Sequence, residues 1–91
     1  MLVDPEQIRR AGEGDNIAFT DVVVAYRKRV LGTISRLIGD SQPADGMADE
    51  VFRRLHTSLK GLPSTGAFEP WLYRLTVNAA YEHLRKKGPN N

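Results

Sequence analysis

Residues 71–87 read WLYRLTVNAAYEHLRKK, from Trp71 to Lys87, and they carry a helical period on two faces at once. Leu72, Leu75, Thr76, Ala79 and His83 recur at the spacing that lines one side of an α-helix. Arg74, Asn78, Tyr81 and Arg85 recur at i, i+4, i+7 and i+11 on the opposite side. The first stripe needs a core to bury against. The second combines two guanidinium groups, an amide and an aromatic ring, and it runs into the basic end Arg85-Lys86-Lys87. Cations bind phosphates, a ring stacks on bases and an amide reads a base edge, so this face points to nucleic acid. A solvated helix whose cations suit the negative C-terminal end of the dipole is the competing account. It explains Arg85 to Lys87 but not Asn78, a mediocre helix former in mid-helix.

Working outward, Gly88-Pro89 is a strong helix stop, and upstream Gly61-Leu62-Pro63-Ser64-Thr65-Gly66 holds two glycines and a proline that a helix does not tolerate. The last helix is therefore placed over about 69–87, behind a loop. Before the loop, Met47, Ala48, Val51, Phe52, Leu55 and Leu59 make an apolar stripe, and a helix over 44–60 follows the Asp40-Ser41-Gln42-Pro43 turn. A longer helix over 16–38 starts behind Asp15 and stops at Gly39. Phe19, Val22, Val23, Tyr26, Val30, Ile34 and Leu37 make its main stripe. Val24, Leu31 and Ile38 repeat every seven residues on a flank, so this helix is expected at the centre, touching several neighbours. A short helix over 5–12 opens with Asp4 as cap, Pro5 at the first position and Gln7 placed for a capping box, and it ends at Gly12-Glu13-Gly14. With no strand pattern, the fold class is all-α: a compact bundle of three main helices plus a short N-terminal one.

Ninety-one residues, 41% of them hydrophobic, suit one domain with a single modest core. Thirteen Lys and Arg against eleven Asp and Glu leave a formal charge of only +2, so any basic surface is local. Arg27, Lys28, Arg29 and Arg36 form one basic cluster, and Arg74, Arg85, Lys86 and Lys87 the other. Asp40, Asp45, Asp49 and Glu50 are an acidic counterpart, which suggests two different partner surfaces. The chain has no cysteine, which excludes disulfides, thiol catalysis and thiolate metal sites. No apolar run reaches the length of a membrane span and no signal-peptide pattern opens the chain, so a soluble, cytoplasmic domain without membrane insertion is expected.

Enzyme chemistry finds no support. His56 and His83 lack HxxxH or HExxH spacing, no Ser/His/Asp order occurs, and there is no glycine-rich phosphate loop. Neither a metal nor a cofactor is expected. On the third helix Asp49, Arg53, His56 and Lys60 share a polar face, with Asp45 at its edge. Asp49–Arg53 and Glu50–Arg54 fall at i, i+4, a spacing that stabilises an isolated helix by about 0.2–0.5 kcal/mol per pair. This face is either solvated charge or a docking surface for a partner helix. Trp71 and Tyr73, beside the loop, either close the core edge or form a stacking platform for an extruded base.

Taken in order and spacing, these elements resemble region 2 of the bacterial sigma-70 family, in its extracytoplasmic-function (group IV) branch. Gly14-Asp15 with Ala18-Phe19 looks like the family's GDxxAF opening, Tyr26 and Val30 its YxxxV stretch, and Arg36 with Gly39-Asp40 its RxxGD. Ala44-Asp45 and Glu50-Val51-Phe52 occupy its AED-xxQEVF element. Trp71-Leu72-Tyr73-Arg74-Leu75 with Asn78 fits WLYRIAxN, and Leu84-Arg85 fits the basic end. The resemblance implies a non-catalytic sigma factor domain for transcription initiation, with core RNA polymerase, promoter DNA and an anti-sigma factor as partners. The third helix would dock on the clamp helices of the β′ subunit through Asp45, Asp49, Glu50 and Arg53. The loop and last helix would hold the melted non-template strand of the −10 element with a base flipped out. Lys60, Leu62, Ser64, Thr65, Arg74, Asn78 and Tyr81 would face that strand, with Arg85, Lys86 and Lys87 on phosphates.

The sequence departs from the family pattern in three places. Gly46 stands where the family has an acidic residue and Asp49 where it has Gln. The loop reads Leu62-Pro63-Ser64 where many members have Phe-Arg-Gly. An isolated region 2 is the expectation, because the helix-turn-helix domain that reads the −35 element in the family is not in this sequence. A sigma-like interaction domain that binds an anti-sigma factor without opening promoters is the alternative.

Overall fold

The computed structural model describes residues 1–87 and contains four α-helices: α1 (Pro5–Gly12), α2 (Asn16–Ile38), α3 (Ala44–Ser58) and α4 (Phe68–Lys87). Gly88-Pro89, the expected stop of α4, lies outside the described residues.

Local chemistry sets most of the boundaries. The Asp4 carboxylate accepts from the Glu6 backbone N–H at 2.8 Å, and the Gln7 side chain accepts from the Asp4 N–H, which closes the capping box of α1. Asp15 caps α2 by accepting from Ala18 N–H at 3.0 Å. At the other end Gly39 takes the left-handed conformation at φ 72°, and its N–H reaches Ser35 O. That φ costs a side-chain-bearing residue but not glycine. Asp40 then turns the chain by accepting from Gln42 N–H at 2.9 Å.

Helix α3 is two residues shorter than its apolar spacing predicts. It gives way at Ser58 to a 3₁₀ turn over Leu59–Gly61, because Gly61 and Pro63 cannot continue the α-helical ladder and the last turn tightens. A second 3₁₀ turn, Thr65–Ala67, leads into α4 at Phe68. Pro70 falls in the first turn of α4, where its missing N–H has no intrahelical partner to lose.

Helix α2 is central, packing against α1, α3 and α4. Ala18, Val22, Tyr26 and Ile34 on α2 share one core with Ile8 of α1, Val51 and Leu55 of α3, and Phe68 of α4, all at most 1% exposed. The flank predicted from the seven-residue repeat is only partly buried. Leu31 and Ile38 pack on the core, but Val24 is 74% exposed. The bundle has a partner helix for the main stripe and none for that end of the flank. Tyr26, fully buried, edges onto Phe68 with ring centroids 5.2 Å apart. Its hydroxyl accepts from Leu2 N–H at 3.0 Å and donates to Glu69 at 2.6 Å, tying the N-terminal segment, α2 and the first turn of α4 together. Among the described residues no helix is long and apolar enough to cross a membrane.

Candidate nucleic-acid interface

With Leu72, Thr76 and Ala79 buried against the bundle, Arg74, Asn78, Tyr81, Arg85, Lys86 and Lys87 all stand exposed on α4. Tyr81 presents 56% of its surface to solvent. The electrostatics of this face follow from where the carboxylates went. Eight of the eleven sit in ion pairs, with Arg9, Arg10, Arg27, Arg29, Arg53 and Arg54 as partners. The other three, Asp4, Asp21 and Asp40, accept from the Glu6 N–H, the Gln7 amide and the Gln42 N–H. Among the described residues no carboxylate is left to pair with Lys60, Arg74, Arg85, Lys86 or Lys87. Five cations without an ion-pair partner among the described residues therefore lie between residues 60 and 87, which a near-neutral composition conceals.

The loop ahead of α4 is a structured element. Leu62 N–H returns to Leu59 O and Ala67 N–H to Ser64 O, both at 3.0 Å. The Trp71 indole N–H donates to Ser58 Oγ at 3.2 Å, which joins the residues on either side of the loop. Trp71 is half-buried and packs on the core edge, so of its two sequence readings the closing role is the one the contacts describe. Lys60, Leu62, Pro63, Ser64 and Thr65 line a cavity of about 280 Å³ whose far wall is α1, through Ile8, Arg9, Gly12 and Glu13. The contribution of α1 was not visible in the sequence. Its Ile8/Ala11 stripe signals packing but not that the loop shares the site.

Tyr73, left open by the sequence between core edge and stacking platform, lies away from the loop cavity. It is 58% exposed and lines a separate cleft of about 370 Å³ between α2 and α4, with Tyr26, Arg29, Val30, Thr33, Glu69 and Thr76. Neither Tyr73 nor Trp71 lines the loop cavity. At that cleft Arg29 sits 5.4 Å over the Tyr26 ring and pairs with Glu69 at 3.3 Å. Burial, then the hydrogen bond to Glu69, raises the Tyr26 phenol above its ordinary range, and the same bond lowers the Glu69 carboxyl.

The α3 face is built oppositely. Asp45, Asp49 and Arg53 are exposed, but Arg27 reaches across from α2 to Asp49 at 2.8 Å and Asp45 at 3.3 Å. This corrects two expectations. Arg27, Lys28, Arg29 and Arg36 are not one basic cluster, since Arg27 and Arg29 turn to different carboxylates and Arg36 to Thr33. Nor does Asp49 pair with Arg53. The Arg53 guanidinium takes Glu50 instead, one residue nearer, with Nε at 2.9 Å from Oε1. Glu50 also accepts from Arg54 Nε at 2.8 Å, and Arg54 extends to Glu82 on α4 at 2.8 and 3.2 Å. Bonds from Arg53 and then Arg54 hold the Glu50 carboxyl down to about 2.

Residues 22–89 match the family model described as Sigma-70 region 2. The chain is 35% identical to the RNA polymerase sigma-H factor of Pseudomonas aeruginosa over 93% of its own length and 44% of that protein. It is 32% identical to the ECF RNA polymerase sigma-E factor of Escherichia coli, over 97% of this chain and 46% of the relative. The ECF RNA polymerase sigma factor SigW of Bacillus subtilis is 29% identical over 93% of this chain and 46% of the relative. The chain thus spans about half the length of the curated relatives it matches. Among solved structures it is similar to an engineered region 2 of sigmaE in complex with GTAAAA, studied by NMR. That likeness has a TM-score of 0.86 at 31% identity and covers 96% of this chain and 90% of the other.

Proposed function

This chain belongs to the sigma-70 family as a region 2 domain of the extracytoplasmic-function type, and from that premise we propose that it captures the melted non-template strand of the promoter −10 element for transcription initiation. The observation that carries the reading is the set of five unpaired cations from Lys60 to Lys87, in a chain whose described carboxylates are otherwise all engaged. Arg74, Arg85, Lys86 and Lys87 hold phosphates. Each phosphate neutralised on a single strand adds about 0.7 to the log–log salt slope, so these four contacts give about 2.8. Asn78 and Tyr81 face the strand between them, as reader of a base edge and stacking surface. The cavity formed by Lys60, Leu62, Ser64 and Thr65 takes the extruded base, with α1 as its back wall. Asp45, Asp49, Glu50 and Arg53 on α3 dock on the β′ clamp helices of core RNA polymerase. Binding energy from these contacts supports strand opening in a bacterial cytoplasmic complex, while polymerase performs the chemistry.

The test is fluorescence anisotropy with single-stranded GTAAAA, the ligand of the structural relative, against a longer duplex containing it. Tighter binding to the single strand is expected, with Asn78→Ala and a Ser64/Thr65 loop substitution each weakening it. Equal binding by all three proteins would remove base reading from the proposal. A second reading, a sigma-like domain that binds an anti-sigma factor without opening promoters, draws on one observation: Arg27 already occupies Asp45 and Asp49. Failure to bind core polymerase at micromolar concentration would favour it.

A further inference from the structure

Glu82 is the one carboxylate in the sequence after Glu69. It stands three residues before Arg85 and four before Lys86, the helical positions at which a glutamate pairs with a following cation. Among the described residues it makes neither pair; both its oxygens are taken by the forked guanidinium of Arg54 on α3, at 2.8 and 3.2 Å. That fork is itself oriented, because the Arg54 Nε is spent on Glu50 at 2.8 Å. Lys86 is within reach, lining with Glu50, Arg54, Glu82 and His83 a small cavity of about 140 Å³. The positive field of Arg85 and Lys86 adds to the Arg54 bond in favouring the charged form of Glu82.

We propose that Arg54 is a positioning residue for phosphate binding: by occupying Glu82 it keeps that carboxylate from folding onto Arg85 and Lys86. The inference rests on the reading of the α4 end as a phosphate contact. Arg54 is one-third exposed and belongs to α3, so its effect on nucleic acid is exerted through Glu82. With Arg54 gone, Glu82 swings along its own helix and neutralises one or two cations that a strand would otherwise use. The salt slope then falls by about 0.7–1.4, and binding at 0.1 M salt weakens about 5- to 25-fold.

The experiment is anisotropy with single-stranded GTAAAA across a salt series, with circular dichroism to check folding of each variant. Arg54→Gln is expected to weaken binding and flatten the slope. Adding Glu82→Gln to it restores both, whereas adding Glu50→Gln, which returns the same net charge, does not. Arg54→Lys keeps the charge without the two-pronged grip and falls between wild type and Arg54→Gln, so it answers the question if Arg54→Gln fails to fold. Unchanged binding by Arg54→Lys, or equal rescue by Glu50→Gln and Glu82→Gln, overturns the inference and reduces Arg54 to one more charge. A wild-type domain that does not bind the oligonucleotide at all overturns the strand-capture reading instead, and this inference with it.

Discussion

Helices α3 and α4 carry similar numbers of charged side chains and use them in opposite ways. On α3 nearly every charge has a partner: Arg27 on Asp45 and Asp49, Arg53 and Arg54 on Glu50, and Arg54 again on Glu82. On α4 Arg74, Arg85, Lys86 and Lys87 have none among the described residues. A face of closed pairs is weakly attractive at long range and must exchange partners to bind. Open cations draw in a polyanion, which releases its own condensed counterions on contact. Under the proposed function, the difference separates a surface for one shaped partner from one for a repeating charge.

Four experiments strain that comparison, in descending order of effect. Phe68→Ala removes the fully buried ring beneath the start of α4, which also touches Tyr26, and is expected to cost about 3–5 kcal/mol in chemical denaturation. A loss in that range fits the deletion of one buried ring from a domain whose whole stability is about 5–15 kcal/mol; a larger one would show that both faces depend on it. Replacing Arg85, Lys86 and Lys87 together by Ala is expected to leave the thermal midpoint almost unchanged. It should lower the single-strand salt slope by about 2 and weaken binding about 100-fold at 0.1 M salt. An unchanged slope would mean that the open face is not where the strand lies.

The third experiment concerns acid. The Glu50 carboxyl, held at about 2 by Arg53 and Arg54, titrates near 4.3 in an unfolded chain. Its pairs therefore contribute fully above about pH 5, and the contribution is lost as the pH falls through the folded value. A side-chain carboxyl NMR titration should find Glu50 among the last carboxylates to protonate, and Glu50→Gln should remove that late step. The smallest effect is expected from Asp49→Asn. The Asp49 side chain is 71% exposed, so losing its pair with Arg27 should shift stability by less than about 1 kcal/mol in a thermal melt. A loss above that would mark the α3 face as part of the fold rather than a surface held ready for a partner.

What could be read in advance divides along the same line. Asp4, Asp15 and Gly39 act on backbone groups within four residues of themselves, so their positions alone announce where helices begin and end. The exposure of the Arg74, Asn78, Tyr81 and Arg85 stripe follows equally from the period of the buried one. The Glu50–Arg54 pair is likewise legible from its i, i+4 spacing, but the pairing of Arg27 and the reach of Arg54 to Glu82 are not. Each guanidinium has several carboxylates within a side chain's reach, and the choice is made by partners 18 to 28 residues away across the bundle. The same holds for Val24, where a seven-residue repeat records a face but not whether a helix arrives to cover it. The wall that α1 gives to the loop cavity is likewise a tertiary fact, with no local signature in Ile8 or Gly12.

The bond from Trp71 to Ser58 carries one further consequence. The chain has a single tryptophan, and its indole is half-buried with its N–H fixed on a hydroxyl at the far side of the loop. Its emission is thus an optical gauge built into the molecule, sensitive to the solvation of one ring beside the loop. Opening of the loop would expose the ring and shift its spectrum to the red. Under the proposed function, changes at the loop can therefore be followed without any dye attached.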